Sequence, residues 1–166
     1  MTVEIAVLLA FIPCFRRPNN MIQRIQSIFL FLAAGAGFGM LALPFATTSD
    51  AVASSILFAD ASYSVNDNLA LLVLFALAGA LSLAAIFLYK NRPLQLKLAQ
   101  LGVVADVIGL ALAVILFWQD GLINSDVEVK DGVGAYLPFG FLLFGILALR
   151  AINKDENLVK SMDRLR

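Results

Sequence analysis

LALLVLFALAGALSLAAIFLYKNRPLQLKLAQLGVVADVIGLALAVILFW, residues 69–118, is the stretch whose reading decides the fold. It is two apolar runs joined by the basic turn Tyr89-Lys90-Asn91-Arg92-Pro93, with Lys97 close behind and no acid beside it. Each run has about twenty residues, enough to cross the hydrocarbon core of a bilayer as an α-helix. Short loops rich in Lys and Arg stay in the cytoplasm, so the turn faces inward and both runs leave it outward.

Composition supports this reading. The chain has 166 residues, is 61% hydrophobic and 14% charged, and has a mean hydropathy of +0.89. Soluble domains are typically near half apolar and a quarter charged, so the excess marks an integral membrane protein. The formal net charge is zero, but the charges are segregated along the chain. Histidine is absent, which removes the usual general base at neutral pH. Cys14 stands alone, which excludes an intrachain disulfide or a cysteine cluster for a metal. No catalytic constellation, cofactor motif, metal-ligand spacing or nucleic-acid footprint is present, and the chain reads as a non-enzyme whose first partner is the lipid bilayer.

Two further spans and the loops follow from the same logic. Residues 22–45 form the first span, with Gln23, Arg24 and Gln26 at its inner end and Pro44 closing it. Its small residues fall at helical spacing, Gly35 with Gly39 and Ala33 with Gly37, and such faces let another helix approach closely. Ala76, Ala80 and Ala84 repeat the pattern in the second span (69–89), as do Ala105, Gly109 and Ala113 in the third (94–118). Packing within one chain is the favoured use of these faces, and a homo-oligomer or another membrane protein is the alternative. The fourth span is 135–152, with Pro138 in its first turn, where proline is tolerated. Leu158, Met162 and Leu165 recur at helical spacing, and Glu156 precedes Lys160 by four. The last helix is therefore expected to continue as an amphipathic cytoplasmic tail over 153–166.

Between the spans, 46–67 carries Asp50, Asp60 and Asp67 with no Lys or Arg, and 119–134 carries Asp120, Asp126, Glu128 and Asp131 against Lys130 alone. Both are outer loops, and both termini are cytoplasmic. Residues 56–65 and 126–130 are the β-like stretches, and they are expected to pair with each other as a small cap. Asn68 or Asp67 is placed to cap the second span. Trp118 and Tyr89 suit the outer and inner interfaces.

Asp106 is the one ionisable residue well inside a span. Such residues are costly in hydrocarbon and suggest function by default. The structural alternative is a buried ion pair, with Arg150 the better placed partner and Arg24 the next, and Gln100 within range. Lys90, Arg92, Lys154, Lys160, Arg164 and Arg166 are candidates for contact with a partner or with anionic headgroups, although topology alone accounts for them.

Residues 1–20 stand apart. Residues 5–12 are apolar but too short to span, Pro13 closes them, and Glu4 and Arg16-Arg17 are misplaced for a secretory signal. They read as a loosely attached extension, with Met21 the expected true start.

Three stretches carry a resemblance: Met21-Ile22-Gln23-Arg24-Ile25-Gln26-Ser27, Leu88-Tyr89-Lys90-Asn91-Arg92-Pro93-Leu94-Gln95, and Arg150-Ala151-Ile152 through Lys154-Asp155-Glu156 to the closing Asp163-Arg164-Leu165-Arg166. Over residues 21–166 the chain resembles an uncharacterised family of small four-span bacterial membrane proteins, a domain of unknown function. The resemblance implies a four-helix transmembrane bundle in the bacterial inner membrane, beginning near Met21, and brings no activity. The leading expectation is a non-catalytic scaffold or accessory subunit that docks a partner. Its rival is a small proton- or ion-coupled transporter centred on Asp106, although spans without breaks or repeats argue against it.

Overall fold

The computed structural model describes residues 20–52, 55–120 and 128–163, with side chains described between residues 25 and 157. The expected N-terminal extension therefore lies outside the described residues, apart from Asn20. Four α-helices follow in order: α1 (Asn20–Ala42), α2 (Leu69–Phe87), α3 (Arg92–Gln119) and α4 (Leu137–Asp163). Each is long and apolar enough to cross a membrane. The protein is thus a multi-pass, all-helical membrane bundle, completed by a small sheet.

The helix ends follow local chemistry. α1 stops at Ala42 because Leu43 precedes Pro44, which disfavours helical backbone at the residue before it and has no N–H to donate. Before α2, the side chains of Ser64 and Asp67 cap a short 3₁₀ turn, Val65–Asp67. Asn68 then caps α2 itself, its side-chain oxygen accepting from the Ala70 N–H at 2.9 Å. Pro93 sits in the first turn of α3, and Pro138 in the first turn of α4. α4 runs unbroken to Asp163, well beyond its apolar part.

Consecutive helices pack against each other and α4 closes the ring on α1. The close approaches are made by glycine. A Cβ on Gly37 would stand 2.8 Å from the Gly79 Cα, so α1 and α2 touch backbone to backbone there. The Ala33/Gly37 and Ala105/Gly109/Ala113 faces are both buried. Gly35, however, faces outward, as does Ala80 in the Ala76/Ala80/Ala84 stripe. The packed face of α2 is instead Leu71, Phe75, Ala78, Ser82 and Ala85. A large ring seated over a glycine fills that interface, and of the alanine stripe only Ala80 is exposed. Phe75 lies against Gly109 in this way.

At one end of the bundle, hereafter the cap end, the connections form a three-stranded antiparallel sheet ordered β2-β1-β3. β1 is Ala46–Thr48, β2 is Ser62–Tyr63 and β3 is Val129–Asp131. This corrects the expected pairing. The two β-like stretches do not meet but flank β1, in registers Ala46↔Tyr63 and Ala46↔Asp131. Residues 126 and 127 lie outside the described residues. β1 is central because Pro44 expels the chain from α1 directly over the bundle, between the two loops. Two glycines let the second loop close onto it. The N–H groups of Gly132 and Gly134 donate to the carbonyls of Phe45 and Pro44 at 2.8 and 3.0 Å, and a Cβ at either glycine would strike the Pro44 carbonyl.

Candidate functional site

Asp106 lies midway along α3, about 20 Å from either end at 1.5 Å per residue. Its neighbours on the buried stripe are small, Gly102, Ala105, Gly109 and Ala113, so α2 packs close on both sides of it. The side chain is fully buried, and neither carboxyl oxygen has a hydrogen-bond partner among the described residues. The expected pair with Arg150 is not formed, since Arg150 is exposed. The cause is helix register. Gly145 of α4 abuts the Val103 side chain of α3. From that level Asp106 lies three residues toward the cap and Arg150 five residues the other way. The axial gap is about 12 Å, more than an arginine side chain spans. Gln100 is exposed, and the Arg24 side chain lies outside the described residues.

An ion pair does form at the opposite end, the turn end, and was missed in the sequence. Arg92, at the start of α3, places Nη2 3.0 Å from Asp155 Oδ2 and donates from Nη1 to the Asp155 backbone carbonyl at 3.2 Å. The first contact is an ion pair by distance without hydrogen-bond alignment, since Oδ2 accepts none. One turn earlier on α4, the Ala151 carbonyl accepts from Gln26 Nε2 of α1 at 3.1 Å. Gln95 is buried at the same end. A signal was present: the buried stripe Phe141, Gly145, Ala148, Ile152 continues at helical spacing onto Asp155. An acid that extends a packing face needs a partner.

The other described basic candidates do not converge. Lys90 and Lys154 are exposed, as is Lys97, and Lys90 Nζ sits 6.0 Å from the centre of the Tyr89 ring. The side chains of Lys160, Arg164 and Arg166 lie outside the described residues.

At the cap end the sheet rests on packed rings. Phe45 meets Tyr63 and Phe75 edge to face at 5.5 and 5.8 Å, and Tyr63 stacks on Phe117 at 6.3 Å. The Tyr63 hydroxyl donates to the Ala113 carbonyl of α3 at 3.0 Å, and burial, with the charge of Asp67 behind it, pushes this phenol well up from its ordinary range. Asp120 holds the first loop, accepting from the Ser55 hydroxyl and from the Ile56 N–H. Beside the rings a cavity of about 240 Å³ opens between α3 and α4. It runs from Asp131 in β3 down to Leu110, and the half-exposed Val114 and Phe139 stand at its mouth.

With Asp106 lacking a hydrogen-bond partner among the described residues, the identity of the bundle comes from kinship. A family model described as Domain of unknown function (DUF4293) matches residues 22–165. The chain belongs to that family. The DUF4293 match includes α3 with Asp106, both partners of the Arg92–Asp155 pair and all three strands of the cap. No curated protein and no solved structure matches the chain.

Proposed function

We propose that the chain is a non-catalytic membrane scaffold or accessory subunit, and that the turn-end extension of α4 is what it presents to a partner. The observation that carries this reading is the latched, unbroken α4. The helix passes Asp155 and continues to Asp163, about 12 Å further at 1.5 Å per residue. Arg92 fixes the direction in which it leaves. The turn end also bears the exposed Lys90, Lys97, Arg150 and Lys154, whereas the cap end bears Asp50, Asp60, Asp67 and Asp131. Positively charged short loops remain inside, so the turn end and both termini are proposed to be cytoplasmic, in the bacterial inner membrane. The partner is another membrane protein or a second copy of the chain.

A photo-crosslinking residue at position 160 of the full chain, followed by purification in mild detergent, tests this. A single adduct with a stoichiometric partner is expected, and Arg92→Ala should weaken it. A lone uncrosslinked monomer would overturn the reading.

A second reading has its own observation. Asp106 is buried at the mid-height of the bundle without a hydrogen-bond partner among the described residues, the kind of residue that proton relays use. On this reading the protein is a small proton- or ion-coupled carrier. Proteoliposomes of the full chain should then pass protons under an imposed potential, and Asp106→Asn should stop them. Equal flux in the variant, or none in either, would dismiss the carrier.

A further inference from the structure

The cap-end cavity has the features of a site for an amphiphile. It is not closed inside the bundle. It enters between α3 and α4, where Val114 and Phe139 are half exposed on the surface that a bilayer would wet. Its walls are apolar along α3, from Phe117 down through Ala113 to Leu110, a depth of about 10 Å at 1.5 Å per residue. With a volume of about 240 Å³ it is smaller than typical drug-sized sites, which run from about 300 to 1,000 Å³. At about 30 Å³ for a water-sized group, it holds a linear run of about eight carbons. An apolar hole that opens to the bilayer favours an apolar guest over water.

Its one charged wall is Asp131, at the upper end. The neighbouring Lys130 lies on the other side of β3, since successive strand residues point to opposite faces. The rim is therefore negative. Trp118, largely exposed one position beyond Phe117, marks the same end of α3 as the level of the headgroups.

We propose that this cavity binds the acyl chain of a bilayer lipid whose ammonium-bearing headgroup rests on Asp131. The chain descends between α3 and α4 past Val114 and Phe139, and the carboxylate selects a zwitterionic head that ends in an ammonium over an anionic one. This site is independent of whether α4 docks a partner or Asp106 carries a proton.

The experiment uses the full chain in vesicles containing a phosphatidylethanolamine with a photoreactive group in mid-chain, or the matching phosphatidylglycerol. After illumination, adducts should concentrate on residues 110–117 and 135–139, and unlabelled phosphatidylethanolamine should compete them away. Val114→Trp, which plugs the mouth, should cut labelling about tenfold, and Phe139→Trp should do the same from the opposite wall, so that one misfolded variant leaves the other to decide. Asp131→Asn should erase the preference for phosphatidylethanolamine while leaving the labelled residues unchanged. Adducts spread evenly over all four helices, or labelling indifferent to both plugs, would overturn the site. Equal labelling by the two lipids in the unaltered protein would overturn the role of Asp131. Crosslinks between two copies through 110–117 would reassign the cavity to a protein interface.

Discussion

At the cap end Phe45, Phe75 and Tyr63 meet ring against ring beneath a sheet, whereas at the turn end the helices are spaced by Leu30, Ala85, Ala99, Ala148 and Ile152. The first region has bulk and backbone hydrogen bonds between loops. The second has aliphatic side chains and polar ties that include Gln26 to Ala151 and Arg92 to Asp155. Both packings lie in a setting where burying apolar surface gives no driving force between helices, so van der Waals fit and hydrogen bonding must supply it. The difference teaches that a short bundle can use geometry at one end and charge at the other. Large rings fix the separation of helices where loops enclose them. Specific polar contacts fix register where a helix must leave the bundle.

The largest expected effect is at the cap. Phe75→Ala removes a ring that lies against both Phe45 and Gly109, and should cost about 3–5 kcal/mol, read as a lowered thermal midpoint in detergent. If the ends are held separately, amide exchange should rise in the sheet before it rises beyond Ala151. The next effect is at the turn. Arg92 and Asp155 side chains are 26% and 12% exposed, so Arg92→Ala should cost about 2 kcal/mol, less than for a fully enclosed pair. Exchange should rise in α4 beyond Ala151 and stay unchanged in the cap, and a further Asp155→Ala should recover part of the loss. Uniform exchange changes in either variant would break the contrast. Tyr63→Phe sharpens it on a smaller scale. Loss of the bond to the Ala113 carbonyl should cost about 1 kcal/mol and loosen the sheet against α3 alone. The smallest effect is a gain. Ala61 has a φ of 62°, in the left-handed region that side chains disfavour. Ala61→Gly should therefore add about 0.5 kcal/mol, the relieved strain exceeding the greater flexibility of glycine in the unfolded chain. An unchanged or lowered midpoint would mean that β2 is not held in this conformation.

The four helices were legible because twenty-residue apolar runs admit few other structures, and the charge pattern of Lys90, Arg92 and the acidic loops separated the ends. The cap was legible in part. Ser62–Tyr63 and Val129–Asp131 lie in or overlap the β-like stretches, but Ala46–Thr48 is too short to show a period of two and follows a proline that looks like a terminator. Asp106 was visible as an anomaly, and its partner was misassigned for a physical reason. Sequence gives the order of residues along α3 and α4 but not the axial offset between them. The contact of Gly145 with Val103 sets that offset. The Arg92–Asp155 pair was hidden because both residues had a sufficient explanation as topology and tail charges.

β1 is synthesised before α2, yet it finds β3 only after α3 has emerged. Until then one edge of β1 offers unpaired N–H and C=O groups to any passing strand. A chain halted after α2 therefore leaves that edge of β1 open, whereas one that has delivered β3 covers it.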